Sequence, residues 1–122
     1  MTKRSLSIKR AYEPATDGDG HRVLVDRLWP RGLHKDEAGL DDWMKDVAPS
    51  TELRKWFNHD PARYEEFRRR YRLELSQNPA VENLITLLAR GPLTLVYAAH
   101  DETHNHARVL AEYIEERKGS GR

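Results

Sequence analysis

Two short apolar runs constrain this chain more than any other feature: RVLVDRLW over Arg22–Trp29 and LTLVYAA over Leu93–Ala99. The first carries Val23 and Val25 on one face and has Leu24 and Leu28 available to the other. A strand that is apolar on both faces is a central one, covered from both sides. Helical patterns lie between the two runs, so a parallel pair joined by a right-handed crossover is predicted. In such sheets ligands gather beyond the carboxyl ends of the strands. That rule points to Asp26–Gly32 and His100–His106.

The remaining segments build around that pair. Ser5–Tyr12 alternates Leu6 and Ile8 with polar neighbours, the period of a half-exposed strand. Glu13–Gly20 is turn chemistry, and Pro30 with Gly32 ends the second strand. Leu40–Ala48 fits a helix or a strand, and its abrupt end at Pro49 tips the reading to a short strand with Trp43, Lys45 and Val47 on one face.

Three helices are predicted next. Ser50 or Thr51 caps Glu52–Asn58, with Leu53, Trp56 and Phe57 as its stripe. Asp60 and Pro61 start a helix that runs to about Gln77 and buries Tyr64, Phe67, Tyr71 and Leu75. Asn78 and Pro79 start a third, burying Val81, Leu84, Ile85 and Leu88 and stopping at Gly91. A last helix is predicted from near Thr103, packing Ala107, Leu110, Ala111 and Ile114, with a frayed tail over Lys118–Arg122. There is no internal repeat and no long linker. The expectation is one α/β domain over residues 1–122, with a small, mostly parallel or mixed sheet flanked by helices.

Charge and composition narrow the function. Lys and Arg number 21 against 20 Asp and Glu, so nothing draws the whole molecule toward nucleic acid or an anionic membrane. The absence of cysteine excludes disulfides, thiolate catalysis and Cys-type metal centres. No apolar run approaches the roughly 20 residues of a membrane span, and Met1–Arg10 lacks an apolar signal segment, so a cytoplasmic protein is expected. The GxxxxGK[ST] and GxGxxG phosphate loops are both missing. No cofactor is implied.

Four segments can carry chemistry. In DRLWPRG, Asp26, Arg27 and Arg31 bracket Trp29 and Pro30. Arginine offers a planar fork for carboxylate or phosphate, and tryptophan a flat face. Asp26 and Arg27 paired with each other or with neighbours, with Trp29 in the core, is the plain structural alternative. In HDETHNH, His100, His104 and His106 stand beside Asp101 and Glu102. These are ligand types for first-row metals, but the spacing is not HExxH. Capping by Asp101 or Thr103, with His104 and Asn105 exposed in the first helical turn, is the alternative. A helix start also disfavours charged histidine and prefers anions. Ser50, Thr51, Arg54 and His59 can line a pocket, although capping accounts for Ser50, Thr51 and Asp60. Finally, Arg68, Arg69, Arg70 and Arg72 fan around a helix with Glu65, Glu66 and Glu74 at pairing distance, which reads as a solvated face.

The stretches IKRAY, VLVDRLWPRG, WMKDVAPSTELRKWFNHDP and LVYAAHDETHNHARVLAEYI resemble the YeaO-like branch of the bacterial domain-of-unknown-function family 488. The resemblance covers most of the chain in order and implies a compact α/β domain. The family's early aspartate, arginine and proline fall on Asp26, Arg27 and Pro30. Its late motif of two cysteines, a histidine and an arginine falls on Tyr97, Asn105, His106 and Ala107, so only the histidine is kept and thiol chemistry does not carry over.

Three readings follow. The leading one is a site for an anionic or nucleotide-like small molecule. Arg27 and Arg31 are its anion donors, His106 or His104 its acid/base, Asp26 an orienting group, Tyr97 a hydroxyl donor, and Trp29, His100 and Asp101 its ligand-facing neighbours. That set suits hydrolysis or group transfer. The bound anion is expected on Arg27 or Arg31 and the start of the last helix, and no metal is expected. The second reading is a domain recognising nucleic acid or protein through the arginine-rich helix, which the neutral net charge disfavours. The third is a metal site built from the histidines.

Overall fold

Four parallel strands form one sheet in the order β1-β4-β2-β3 in the computed structural model, which describes residues 6–120. The strands are β1 (Leu6–Arg10), β2 (His21–Leu24), β3 (Asp42–Trp43) and β4 (Leu93–Tyr97). β4 is central, with Leu93 to Tyr97 in register against Leu6 to Arg10 on one side and Leu93 to Val96 against His21 to Leu24 on the other. Every residue of β4 is buried, which is why that run is apolar throughout. The sheet is wholly parallel, so the fold is the α/β class expected.

The first face of the sheet presents Val23, Val25, Leu95 and Tyr97 to the main core. Helices α2 (Thr51–Phe57), α3 (Tyr64–Ser76), α4 (Val81–Arg90) and α5 (His106–Ser120) cover it with Phe67, Tyr71, Leu84, Leu88, Leu110 and Ile114. A smaller apolar cluster on the other face joins Ala11, Leu24 and Val96 to Trp29, Leu33 and Leu40, near the one-turn helix α1 (Lys35–Ala38).

Local chemistry explains where elements start. Ser50 Oγ accepts from Leu53 N at 3.1 Å and donates to Glu74 Oε2 at 2.6 Å, capping α2 while tying it to α3. Glu74 is therefore engaged by Ser50 and is not an arginine partner. Asp60 Oδ1 accepts from Ala62 N, and Pro61 opens a 3-10 turn that leads into α3.

Several expectations need correction. β2 stops at Leu24: Val25 N still reaches Val96 O at 3.0 Å, but the chain then turns and Leu28 is 64% exposed. The turn is held by the Trp29 indole donating to Leu33 O at 2.7 Å. The Leu40–Ala48 stretch is a two-residue strand followed by a 3-10 turn at Lys45–Val47, so Trp43 is exposed while Val47 is buried. α5 begins at His106 instead of near Thr103. Asp101 Oδ1 takes the N–H groups of Thr103 and His104 into a separate turn, and Asn105, fully buried, caps the helix through Arg108 N at 3.0 Å. α5 stays helical to Ser120, and 121–122 lie outside the described residues.

On α3, Phe67 and Tyr71 are buried and Tyr64 is half-buried, whereas the arginines face outward in ion pairs. Arg68 pairs with Glu112, Arg69 and Arg70 with Glu66, and Arg72 with Glu116. Among the described residues no helix is long and apolar enough to cross a membrane.

Candidate functional site

A cavity of about 580 Å³ opens where β2 and β4 end. Asp26, Arg27, Leu28, Trp29 and Pro30 enter it from β2, and Ala98 to Asp101 with His104, Asn105 and His106 from β4 and the start of α5. Ala48, Pro49, Arg54, Phe57, His59 and Phe67 complete the lining. The two strand-end segments thus share one concavity, as the parallel arrangement requires.

Asp26 joins the segments. Its Oδ2 accepts from Ala98 N at 3.1 Å, and its Oδ1 lies 3.0 Å from His106 Nε2. That same nitrogen is 3.2 Å from Val25 O. Two oxygens face one ring nitrogen, so Nε2 carries a hydrogen. The N–H is directed at Val25 O, which leaves buried Asp26 Oδ1 in contact with the ring but without a well-aligned hydrogen bond.

The second carboxylate is also engaged. Asp101 accepts from His104 N, Thr103 N and His104 Nδ1, the ring contact at 3.0 Å. The backbone donors His104 and Thr103 hold its carboxyl below the usual range. His104 sits edge-on to Tyr64, with ring centres 5.1 Å apart. His100 is exposed, its Nδ1 3.5 Å from Arg10 Nη2.

The cations differ. Arg27, half-buried, donates only to carbonyls: Nε to Pro49 O at 3.4 Å, and Nη2 to Ala48 O and Pro49 O at 3.4 and 3.3 Å. Among the described residues neither Arg27 nor Arg54 makes an ion pair. Arg27 and Asp26 do not pair with each other, but each is held by neighbours, as the structural alternative for DRLWPRG allows.

Two residues singled out from the sequence stand elsewhere. Arg31 is exposed and does not line the cavity; the Trp29–Leu33 turn carries it away, and its carbonyl accepts from Tyr12 Oη at 2.9 Å. Tyr97 packs into the main core, where burial, helped by Glu102, raises its phenol above the ordinary value. At the α5 start Asn105 takes Arg108 N, while Asp101 takes the N–H groups of the preceding turn. No three His, Asp or Glu side chains among the described residues converge so as to hold a metal ion. Arg54 and His59, which capping chemistry had obscured, do line the cavity.

The family model described as "Inactive DUF488-N3 subclade" matches residues 5–120. The chain belongs to that subclade of the DUF488 family. It is 46% identical over 111 residues to "Uncharacterized protein YeaO" of Escherichia coli K12, covering 90% of this chain and 96% of that one. It is 44% identical over 109 residues to "Uncharacterized protein Rv3073c" of Mycobacterium tuberculosis H37Rv, covering 89% and 92%. No solved structure matches the chain.

Proposed function

We propose that this DUF488-family chain binds an anionic small molecule in the strand-end cavity and does not turn it over. One observation carries the reading. Arg27 brings a half-buried positive charge to the cavity with only neutral carbonyls as partners, and among the described residues neither nearby carboxylate, Asp26 or Asp101, pairs with it. A cation held by carbonyls keeps its fork available for an oxyanion. The rest of the wall is largely apolar, with Trp29, Phe57 and Phe67 among it, so the ligand carries a ring or other apolar body behind its anionic group. Nucleotide-like molecules and aromatic phosphates or carboxylates have that form.

Binding without turnover is supported by the lining itself. Among the described residues no Ser, Thr, Lys or Tyr lines the cavity, so the usual hydroxyl and amine nucleophiles are not among its lining. The subclade's description as inactive agrees. So does the replacement of the resembled family's late cysteines and arginine by Tyr97, Asn105 and Ala107. The Asp26–His106 pair favours a second reading, hydrolysis, in which His106 Nδ1 draws a proton from water.

Calorimetric titration with phenyl phosphate, for wild type and Arg27→Ala, tests both. Saturable binding that Arg27→Ala weakens at least about tenfold is expected, the cost of losing a charge-assisted hydrogen bond. Equal affinity in the two proteins would sink the binding reading. Steady release of phenol, lost in His106→Ala, would replace it with hydrolysis.

A further inference from the structure

Among the described residues only two that are not glycine have positive φ, and they are neighbours: Asn58 at 48° and His59 at 54°. Asn58 is accounted for by its position. It ends α2, its N–H bonding to Arg54 O at 3.0 Å, and asparagine adopts the left-handed conformation readily. His59 follows it as the second central residue of a turn closed by Asp60 N donating to Phe57 O at 3.0 Å, but nothing local accounts for a histidine in that place. Its side chain makes no hydrogen bond or ion pair, and its nearest ring, that of Phe57, is 6.4 Å away between centres. A residue with a Cβ pays a conformational cost in this region that glycine would avoid. The side chain is exposed and lines the cavity. A strained backbone that delivers a free imidazole to a cavity wall is a pattern of functional sites.

We propose that His59 is a specificity-determining ligand contact, and that with Arg54 it makes this site one for phosphate esters in preference to carboxylates. The proposal rests on the binding reading above. Arg54, within α2, and His59, just past its C-cap Asn58, line the same cavity as His106. Arg27 enters from the β2 side. Three donor side chains around one cavity suit a group with three peripheral oxygens, whereas a planar carboxylate is satisfied by one arginine fork. The imidazole N–H supplies one of those bonds.

The test compares phenyl phosphate with benzoate, which shares the ring but carries a carboxylate, on wild type, His59→Gly, His59→Asn and Arg27→Ala. His59→Gly is expected to melt higher than wild type, because glycine relieves the left-handed residue. It should also bind phenyl phosphate about tenfold more weakly while benzoate changes much less. His59→Asn, which keeps a donor and tolerates the conformation, should fall between, and free imidazole should partly restore phenyl phosphate binding to His59→Gly. If His59→Gly keeps full phenyl phosphate affinity while Arg27→Ala loses it, the cavity binds anions and the assignment of His59 is wrong. If Arg27→Ala also binds normally, the cavity reading itself falls. A His59→Gly protein that melts lower than wild type would remove the conformational cost on which the argument stands.

Discussion

Asp26 Oδ1 lies 3.0 Å from His106 Nε2, linking the exit of β2 to the first residue of α5 past the end of β4. The same carboxylate holds Ala98 N through Oδ2. One side chain therefore fixes three segments of the cavity wall. Asp26→Asn keeps the shape but removes the charge. Stability should drop by about 1–3 kcal/mol, since a hydrogen bond to a charged group is lost. Affinity for phenyl phosphate should rise, because a negative charge leaves the cavity. Denaturant unfolding and calorimetry read the two effects separately, and weakened anion binding would show that Asp26 contributes in some other way.

Arg27 spans Ala48 O and Pro49 O with a planar fork. Lysine has the charge but not the fork, so Arg27→Lys should retain some anion affinity and lose several-fold. Its fold stability should fall by about 1 kcal/mol as the carbonyl contacts loosen. Equal affinity of Lys and Arg forms would mean that bulk charge alone holds the ligand.

Much of the fold was legible because buried parallel strands must be apolar on both faces, and because the α3 aromatics recur at helical spacing. The cavity's location followed from the strand ends. Its membership did not. Arg27 and Arg31 look equivalent in DRLWPRG, and only the Trp29–Leu33 hydrogen bond, a contact four residues apart, carries Arg31 away. In HDETHNH, Asp101 and Thr103 read as the caps, with Asn105 exposed in the first helical turn. Burial decides: Asn105 is inside, so the helix starts after it. Asn58-His59-Asp60-Pro61 reads as a turn in any sequence, which hid the left-handed His59.

The arginine-rich face of α3 should have no role in nucleic-acid binding. Arg69 and Arg70 both grip Glu66, whose carboxyl is lowered to about 2 by their hydrogen bonds, and Arg68 holds Glu112. Replacing Arg68, Arg69 and Arg70 with Gln should change stability little, since solvent screens exposed ion pairs. Electrophoretic mobility assays across a range of salt should find no DNA or RNA binding in wild type for the triple variant to lose. A steep salt-dependent affinity would revive a nucleic-acid role.

Gly20 is expected to be irreplaceable at the opposite end of the sheet from the cavity. Its φ is 64°, and a Cβ there would stand 2.3 Å from Pro92 O, the atom that accepts from His21 N. Gly20→Ala must strain the backbone and push β2 from β4. A loss of about 2–4 kcal/mol is expected from the left-handed strain and overpacking together, with anion affinity unchanged in the folded fraction. Thermal melts give the first value, and titration well below the melting point the second.

Acid should unfold the protein largely through Asp19. This carboxylate is almost fully buried, with Lys9 Nζ at 3.0 Å, Thr16 Oγ1 at 2.8 Å and Arg22 Nη1 at 2.6 Å. Arg22 is itself buried, and its other nitrogens are held by Gly39 O and Ala38 O. Burial alone pushes the Asp19 carboxyl up, but the hydrogen bonds from Lys9, Thr16 and Arg22 outweigh it and leave the group well below its ordinary range. A carboxyl that ionises more easily folded than unfolded stabilises the fold above the unfolded value, about 3.9, and that stabilisation drains away as pH falls further. Stability should therefore decline from about pH 4 downward. Glu66 and Asp101 contribute in the same direction, but they are more exposed, so high salt suppresses their part and leaves that of Asp19. Asp19→Asn should cost about 3–5 kcal/mol at neutral pH, because Arg22 and Lys9 lose their counter-charge, and should flatten the acid limb measured at high salt. An acid limb as steep in Asp19→Asn as in wild type would place the acid-sensitive group elsewhere.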